Sequence, residues 1–144
     1  MKIYLDNCCF NRPFDDQKQL RIKLETEAKL DIQERIVQGN IELAWSYILD
    51  LENGVNPFEQ RRFTIRGWKV HACVDTNETS EILETAERFE RIGVRNKDAL
   101  HLACAVVMKC DYLLTTDDRF VKKASGVAEI KVTDPVSFIR EEIE

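Results

Sequence analysis

The segment Asn96-Lys97-Asp98-Ala99-Leu100-His101-Leu102-Ala103-Cys104-Ala105-Val106-Val107-Met108-Lys109 runs through Cys110-Asp111 into Tyr112-Leu113-Leu114-Thr115-Thr116-Asp117. From Ala99 to Met108 the residues are apolar almost all round, which predicts a helix over 97–109 that is the most buried of the chain. Tyr112 to Thr116 reads as a strand, and an acid follows it directly. Asp98 opens the helix and Asp117 closes the strand, so each end of this segment carries a carboxylate.

The same alternation extends in both directions. Lys2-Ile3-Tyr4-Leu5 is a strand-like run closed by Asp6. Leu20, Leu24, Ala28, Ile32 and Ile36 recur every four residues, which predicts one amphipathic helix over 16–38, capped by Asp15 or Asp16 and ended by Gly39. Ile41 to Trp45 reads as a second strand and Ser46 to Glu52 as a short helix that Gly54 and Pro57 terminate. Phe58 to Arg66 is predicted helical and holds Arg61, Arg62 and Arg66, the most basic stretch of the chain; Trp68 to Val74 is a weak third strand. A helix over 78–92, with Ile82, Leu83, Ala86 and Phe89 on one face, stops at Gly93. After Asp117 come a helix, a strand over Glu129 to Val132, and a terminal helix opened by Asp134-Pro135 and reaching about Glu142. Strands alternating with helices imply an α/β fold, a parallel sheet flanked on both faces. Nothing suggests a linker or repeat, so residues 1–144 are expected to form one domain.

Composition narrows the function classes. The chain is 33% charged and 44% hydrophobic, and no apolar run approaches the roughly 20 residues of a membrane span. An acid at position 6 leaves no room for a signal-peptide core, so a cytoplasmic location is expected. The five cysteines include no C-x-x-C pair, which argues against a disulfide framework or a zinc knuckle and for reduced thiols in or near the core. A net charge of −5 gives no basic footprint for nucleic acid, although a carboxylate cluster that takes up divalent cations reverses its local charge.

Four acids stand out. Asp6 follows a strand expected to be central, where ligands of open α/β sheets bind; the position also suits a turn aspartate. Glu52 shares a helix face with Leu49 and Ile48, and a glutamate on an apolar stripe needs a partner, unless fraying near Gly54 releases it to solvent. Asp98 sits in a first helical turn, where the macrodipole favours an acid with or without a ligand. Of Asp117 and Asp118, one is expected to cap the next helix, leaving the other for chemistry. His101, one turn beyond Asp98, either orients a carboxylate or packs, and packing is the favoured reading.

Taken jointly, Ile3-Tyr4-Leu5-Asp6, Ser46-Tyr47-Ile48-Leu49-Asp50-Leu51-Glu52, Asn96-Lys97-Asp98-Ala99-Leu100-His101-Leu102-Ala103 and Leu114-Thr115-Thr116-Asp117-Asp118-Arg119-Phe120 resemble the PIN domain ribonucleases. The last segment matches a T-x-D-x-x-F pattern, which selects Asp117 over Asp118. The resemblance implies a five-stranded parallel sheet between helical layers, Mg²⁺ or Mn²⁺ held by Asp6, Glu52, Asp98 and Asp117, and hydrolysis of RNA phosphodiesters. Asp6 and Asp98 are the first-choice direct ligands. Arg12, Arg61 and Arg62 are candidate phosphate contacts. Short solitary members resemble toxins of toxin-antitoxin pairs, which implies a small antitoxin partner and a homodimer. One departure stands beside the match: the family commonly has serine or threonine after the first aspartate, and this chain has Asn7-Cys8-Cys9. A catalytically impaired scaffold that binds RNA or protein is therefore an alternative. A receiver-type signalling domain is another, with Asp75 as its poor acceptor.

Overall fold

The computed structural model describes residues 1–143. In chain order the elements are β1 (Lys2–Leu5), α1 (Asn7–Asn11), α2 (Leu20–Val37), β2 (Glu42–Ser46), α3 (Tyr47–Gly54), α4 (Glu59–Gly67), β3 (Ala72–Thr76), α5 (Ser80–Arg91), α6 (Asn96–Val107), β4 (Tyr112–Leu114), α7 (Asp118–Lys123), β5 (Lys131–Thr133) and α8 (Pro135–Glu142), with 3₁₀ turns at Arg12–Phe14 and Trp68–His71. The five strands are all parallel in the order β3-β2-β1-β4-β5. This is the α/β architecture expected from the sequence.

Both faces of the sheet are covered, because Ile3, Tyr4 and Leu5 of β1 point alternately to opposite sides and none is solvent-accessible. Trp45 of β2 packs against Phe10 of α1 on one side. On the other, Tyr4 meets His101 of α6. α5 packs on α6, and α2 on α8. Ala99, Leu102, Ala103, Cys104 and Ala105 make α6 the buried helix its composition predicts. The chain leaves β1 towards β2 on one side, and β4 lies on the other, so the strand order reverses at the β1–β4 boundary. The crevice beyond the carboxyl ends of those two strands is where an open α/β sheet binds ligands.

Four local expectations are corrected. α2 begins at Leu20, not residue 16, and its N-cap is Gln19. Asp15 is instead ion-paired with Arg12 and Arg61, and Asp16 accepts the Lys18 backbone N–H in a turn. The four-residue stripe of α2 holds only at Ile32 and Ile36, whereas Leu20 is 71% exposed and Leu24 is also exposed. At 3.6 residues per turn, a spacing of four slips by about 40° each step, so a strict repeat rotates off the core within three steps. The face that is buried carries Glu25, Lys29, Ile32 and Ile36. The third strand starts at Ala72, because α4 runs on through Gly67 into a 3₁₀ turn that uses up Trp68–His71. All five cysteines are free thiols; Cys73 is exposed on the edge strand β3, outside the expected core placement. No helix is long and apolar enough to cross a membrane among the described residues.

Candidate functional site

Asp6 ends β1 and caps α1. Its Oδ1 accepts the Asn7 backbone N–H at 2.7 Å, and its Oδ2 accepts the Thr115 hydroxyl at 2.8 Å and the Cys8 thiol at 3.4 Å. Only 7% of the residue is exposed. Thr115, carried by the chain leaving β4, thus supplies a hydroxyl to the first aspartate although the following residue is Asn7. Cys8 ties the same corner further, accepting the Thr116 backbone N–H at 3.3 Å.

Glu52 lies in the second turn of α3, a helix capped by the Ser46 hydroxyl. Its carboxylate accepts from Nε2–H of His101. The other ring nitrogen, Nδ1, shares a hydrogen bond of 2.5 Å with the Tyr4 hydroxyl, which in turn meets Ser46 Oγ at 2.6 Å. A relay Ser46–Tyr4–His101–Glu52 therefore crosses the interior beneath the site, and Nε2 also lies 3.6 Å from Asp6 Oδ1. Burial pulls the His101 pKa down, but the Glu52 hydrogen bond and the charges of Asp6, Glu52 and Asp98 outweigh it, so the net shift is upward. Burial likewise opposes ionisation of Glu52, yet His101, with help from Lys97, holds its pKa below the usual value. Both shifts favour a charged pair. His101 is buried as expected, and it also orients a carboxylate, the role the sequence reading ranked second.

Asp98 stands in the first turn of α6. Its pKa is pushed up to about 6, first by burial and then by Asp6, Asp117 and Glu52, with only His101 acting the other way. Asp98 therefore lies within electrostatic range of Asp6, Asp117 and Glu52. Asp117 caps α7: its Oδ1 accepts from the backbone of Arg119 at 3.0 Å and of Phe120 at 3.4 Å. Asp118 points elsewhere, into a two-pronged ion pair with Arg21. Asp117 is thus the acid that caps the helix, the role the residue pattern alone would have kept away from chemistry; its preference over Asp118 rests on the T-x-D-x-x-F resemblance and on its charge acting on Asp98.

The candidate phosphate contacts are engaged with groups other than the four acids. Arg12 pairs with Asp15 at 2.9 Å and with buried Glu25 at 3.0 Å. Arg61 donates to the Phe14 carbonyl, pairs with Asp15 and lies over the Phe58 ring. Arg62 donates to the Asn56 carbonyl. Asp75 sits on the edge strand β3, separated from β1 by β2, and pairs with Lys69, so it is not gathered with Asp6 as a receiver acceptor would be.

Four carboxylates form an all-oxygen donor set of the kind hard cations such as Mg²⁺ and Mn²⁺ prefer, and their mutual repulsion is what such a cation would relieve. The chemistry of the set fits. As they stand, no three His, Cys, Asp or Glu side chains among the described residues are spaced to enclose an ion. Enclosing one would take side-chain rotation, and Asp98, Oδ2 of Asp117 and Oε2 of Glu52 are the groups least committed to other bonds.

No protein-family model matches the chain, and no curated protein matches its sequence. Solved structures match its fold. FitAcB from Neisseria gonorrhoeae superposes with a TM-score of 0.62 over 92% of this chain and 97% of its own, at 12% identity. VapBC2 from Rickettsia felis, bound to a DNA fragment from its promoter, gives a TM-score of 0.61 over 93% and 98%, at 14% identity. These likenesses establish the PIN-like fold.

Proposed function

We propose that the protein is a divalent-metal-dependent endoribonuclease. One observation carries this reading most: Asp98 is half-buried at the carboxyl edge of the sheet with its pKa raised to about 6 by burial, Asp6, Asp117 and Glu52, a crowding of negative charge that structure alone does not require. Asp6 and Asp98 would hold Mg²⁺ or Mn²⁺ directly, with Glu52 and Asp117 completing the site directly or through water. Such an ion supplies Lewis-acid activation of water and charge neutralisation at a phosphodiester. The protein's own groups prepare the site. The Asn7 amide and Thr115 hydroxyl fix the Asp6 carboxylate, His101 fixes Glu52, and the α7 cap fixes Asp117.

The experiment is cleavage of labelled RNA with Mn²⁺ or Mg²⁺ against EDTA, for wild type and Asp98→Asn. Cleavage that needs metal and fails in the variant is expected; cleavage surviving both chelation and the substitution would overturn the proposal. The shared fold with FitAcB and VapBC2 supports a finer reading, a toxin that acts as a homodimer and is restrained by a small antitoxin protein. A second reading, a catalytically impaired scaffold that binds RNA or protein, is favoured by one observation: the acids do not enclose an ion as they stand. Metal binding separates the two.

A further inference from the structure

Beside Asp98 the surface opens into a cavity of about 150 Å³ lined by Gly93, Val94, Arg95, Asp98, Arg119, Phe120 and Lys123. Three cations rim it: Arg95 from the α5–α6 corner, and Arg119 and Lys123 from α7. All three are exposed, and none is ion-paired among the described residues, whose bridges involve other side chains. Arg12 and Arg61, by contrast, would have to leave carboxylate partners before binding an anion. The position of Lys123 is built into the fold. Gly93 adopts φ +100°, and a Cβ there would lie 3.2 Å from Lys123 Cδ, so the absence of a side chain lets the lysine stem cross the helix corner.

Resting on the nuclease reading, we infer that this cleft is a phosphate subsite, which seats a backbone phosphate of single-stranded RNA next to the reacting one through Arg95, Arg119 and Lys123. Its three unpaired cations decide the ligand class, an anionic group such as a backbone phosphate. Phe120 and Val94 are buried and present no ring face for stacking. Recognition here is of charge on the backbone, and it adds affinity and register without sequence preference. It also explains how a chain of net charge −5 would hold RNA at an acidic site: unpaired cations border the carboxylates on the α7 side.

The test is fluorescence anisotropy of a labelled single-stranded RNA in EDTA, across a range of salt, with wild type, the triple variant Arg95→Gln/Arg119→Gln/Lys123→Gln, and the control Lys109→Gln/Lys131→Gln at the opposite edge of the sheet. The triple variant is expected to bind about tenfold more weakly, its log–log salt slope shallower by about 0.7 for each phosphate it no longer neutralises, while the control keeps the wild-type slope. Wild-type affinity and slope in the triple variant, together with intact metal-dependent cleavage by wild type, would overturn the cleft alone. Equal competition by a polyglutamate peptide of the same charge would overturn its specificity for phosphate. Wild type that neither binds nor cleaves RNA would overturn both this inference and the nuclease reading.

Discussion

Replacing Lys29 by methionine is expected to stabilise the protein at neutral pH. Lys29 is a residue of α2 that is 3% exposed, and its ammonium lies 5.3 Å from the Phe10 ring centroid and 5.8 Å from that of Trp68, with no carboxylate paired to it. Burial lowers its pKa from 10.5 to about 8. Below about pH 8 the lysine is charged in both folded and unfolded chains, and the folded state bears the whole desolvation cost. At 1.36 kcal/mol per unit, the drop corresponds to about 3 kcal/mol. The two aromatic contacts return about 0.5–2 kcal/mol of this. Methionine fills the same space without a charge, so a net gain of about 1–3 kcal/mol is expected, or roughly 3 to 10 °C in melting temperature. The pH dependence has a definite sign. Between about pH 8 and 10.5 the unfolded chain binds the extra proton, so wild-type stability should rise with pH there relative to the variant. Urea melts of both proteins at pH 7 and pH 10 give the difference directly, and titrations common to both cancel. A variant less stable than wild type at pH 7, or a gap that does not narrow between pH 7 and pH 10, would refute the reasoning.

Other outcomes follow from the site. Asp117→Asn keeps the α7 cap but removes a charge from the cluster, so RNA cleavage should collapse with little change in melting temperature, whereas Asp118→Asn, which only breaks an exposed pair with Arg21, should leave turnover near wild type. Tyr4→Phe deletes the hydroxyl that joins Ser46 and His101, and should cost about 1–3 kcal/mol in urea unfolding by leaving buried polar atoms unpaired. Expression in a bacterial host should arrest growth, with Asp6→Ala relieving the arrest; colony counts under induction check it. Normal growth with an active enzyme would move the reading towards RNA processing.

Much of this architecture is legible in the sequence because it rests on local signals. The apolar run of α6 and the acids closing Lys2–Leu5 and Tyr112–Thr116 place the sheet, its covered faces and two of the four carboxylates without any tertiary information. What stays hidden depends on partners distant in the chain. Glu25 and Lys29 lie off the four-residue apolar repeat of α2, and only the folded arrangement of Arg12, Phe10 and Trp68 shows why they are buried. His101 reads as packing because its bonds reach Tyr4 and Glu52, 97 and 49 residues away. Ion pairing is a long-range property too: among the described residues it engages Arg12 and Arg61 with carboxylates and leaves Arg62, Arg66, Arg95, Arg119 and Lys123 without one.

The central claim is that Asp6, Glu52, Asp98 and Asp117 form a divalent-cation site, and the thermal shift produced by Mn²⁺ tests it most directly. Thermal scans of wild type and Asp98→Asn at pH 7 and low ionic strength, in EDTA and in Mn²⁺ raised to about 100 times Kd, are the measurement. Metal should raise the wild-type melting temperature by roughly 5 to 10 °C, the equivalent of about 2.7 kcal/mol. Since the Asp98 pKa is raised, its charge weakens the metal-free fold as pH climbs through about 6, so in EDTA Asp98→Asn should melt at or above wild type, and its Mn²⁺ shift should shrink. An undiminished shift in the variant would remove Asp98 from the site, and a wild type whose melting temperature does not move at millimolar Mn²⁺ would contradict the metal site itself.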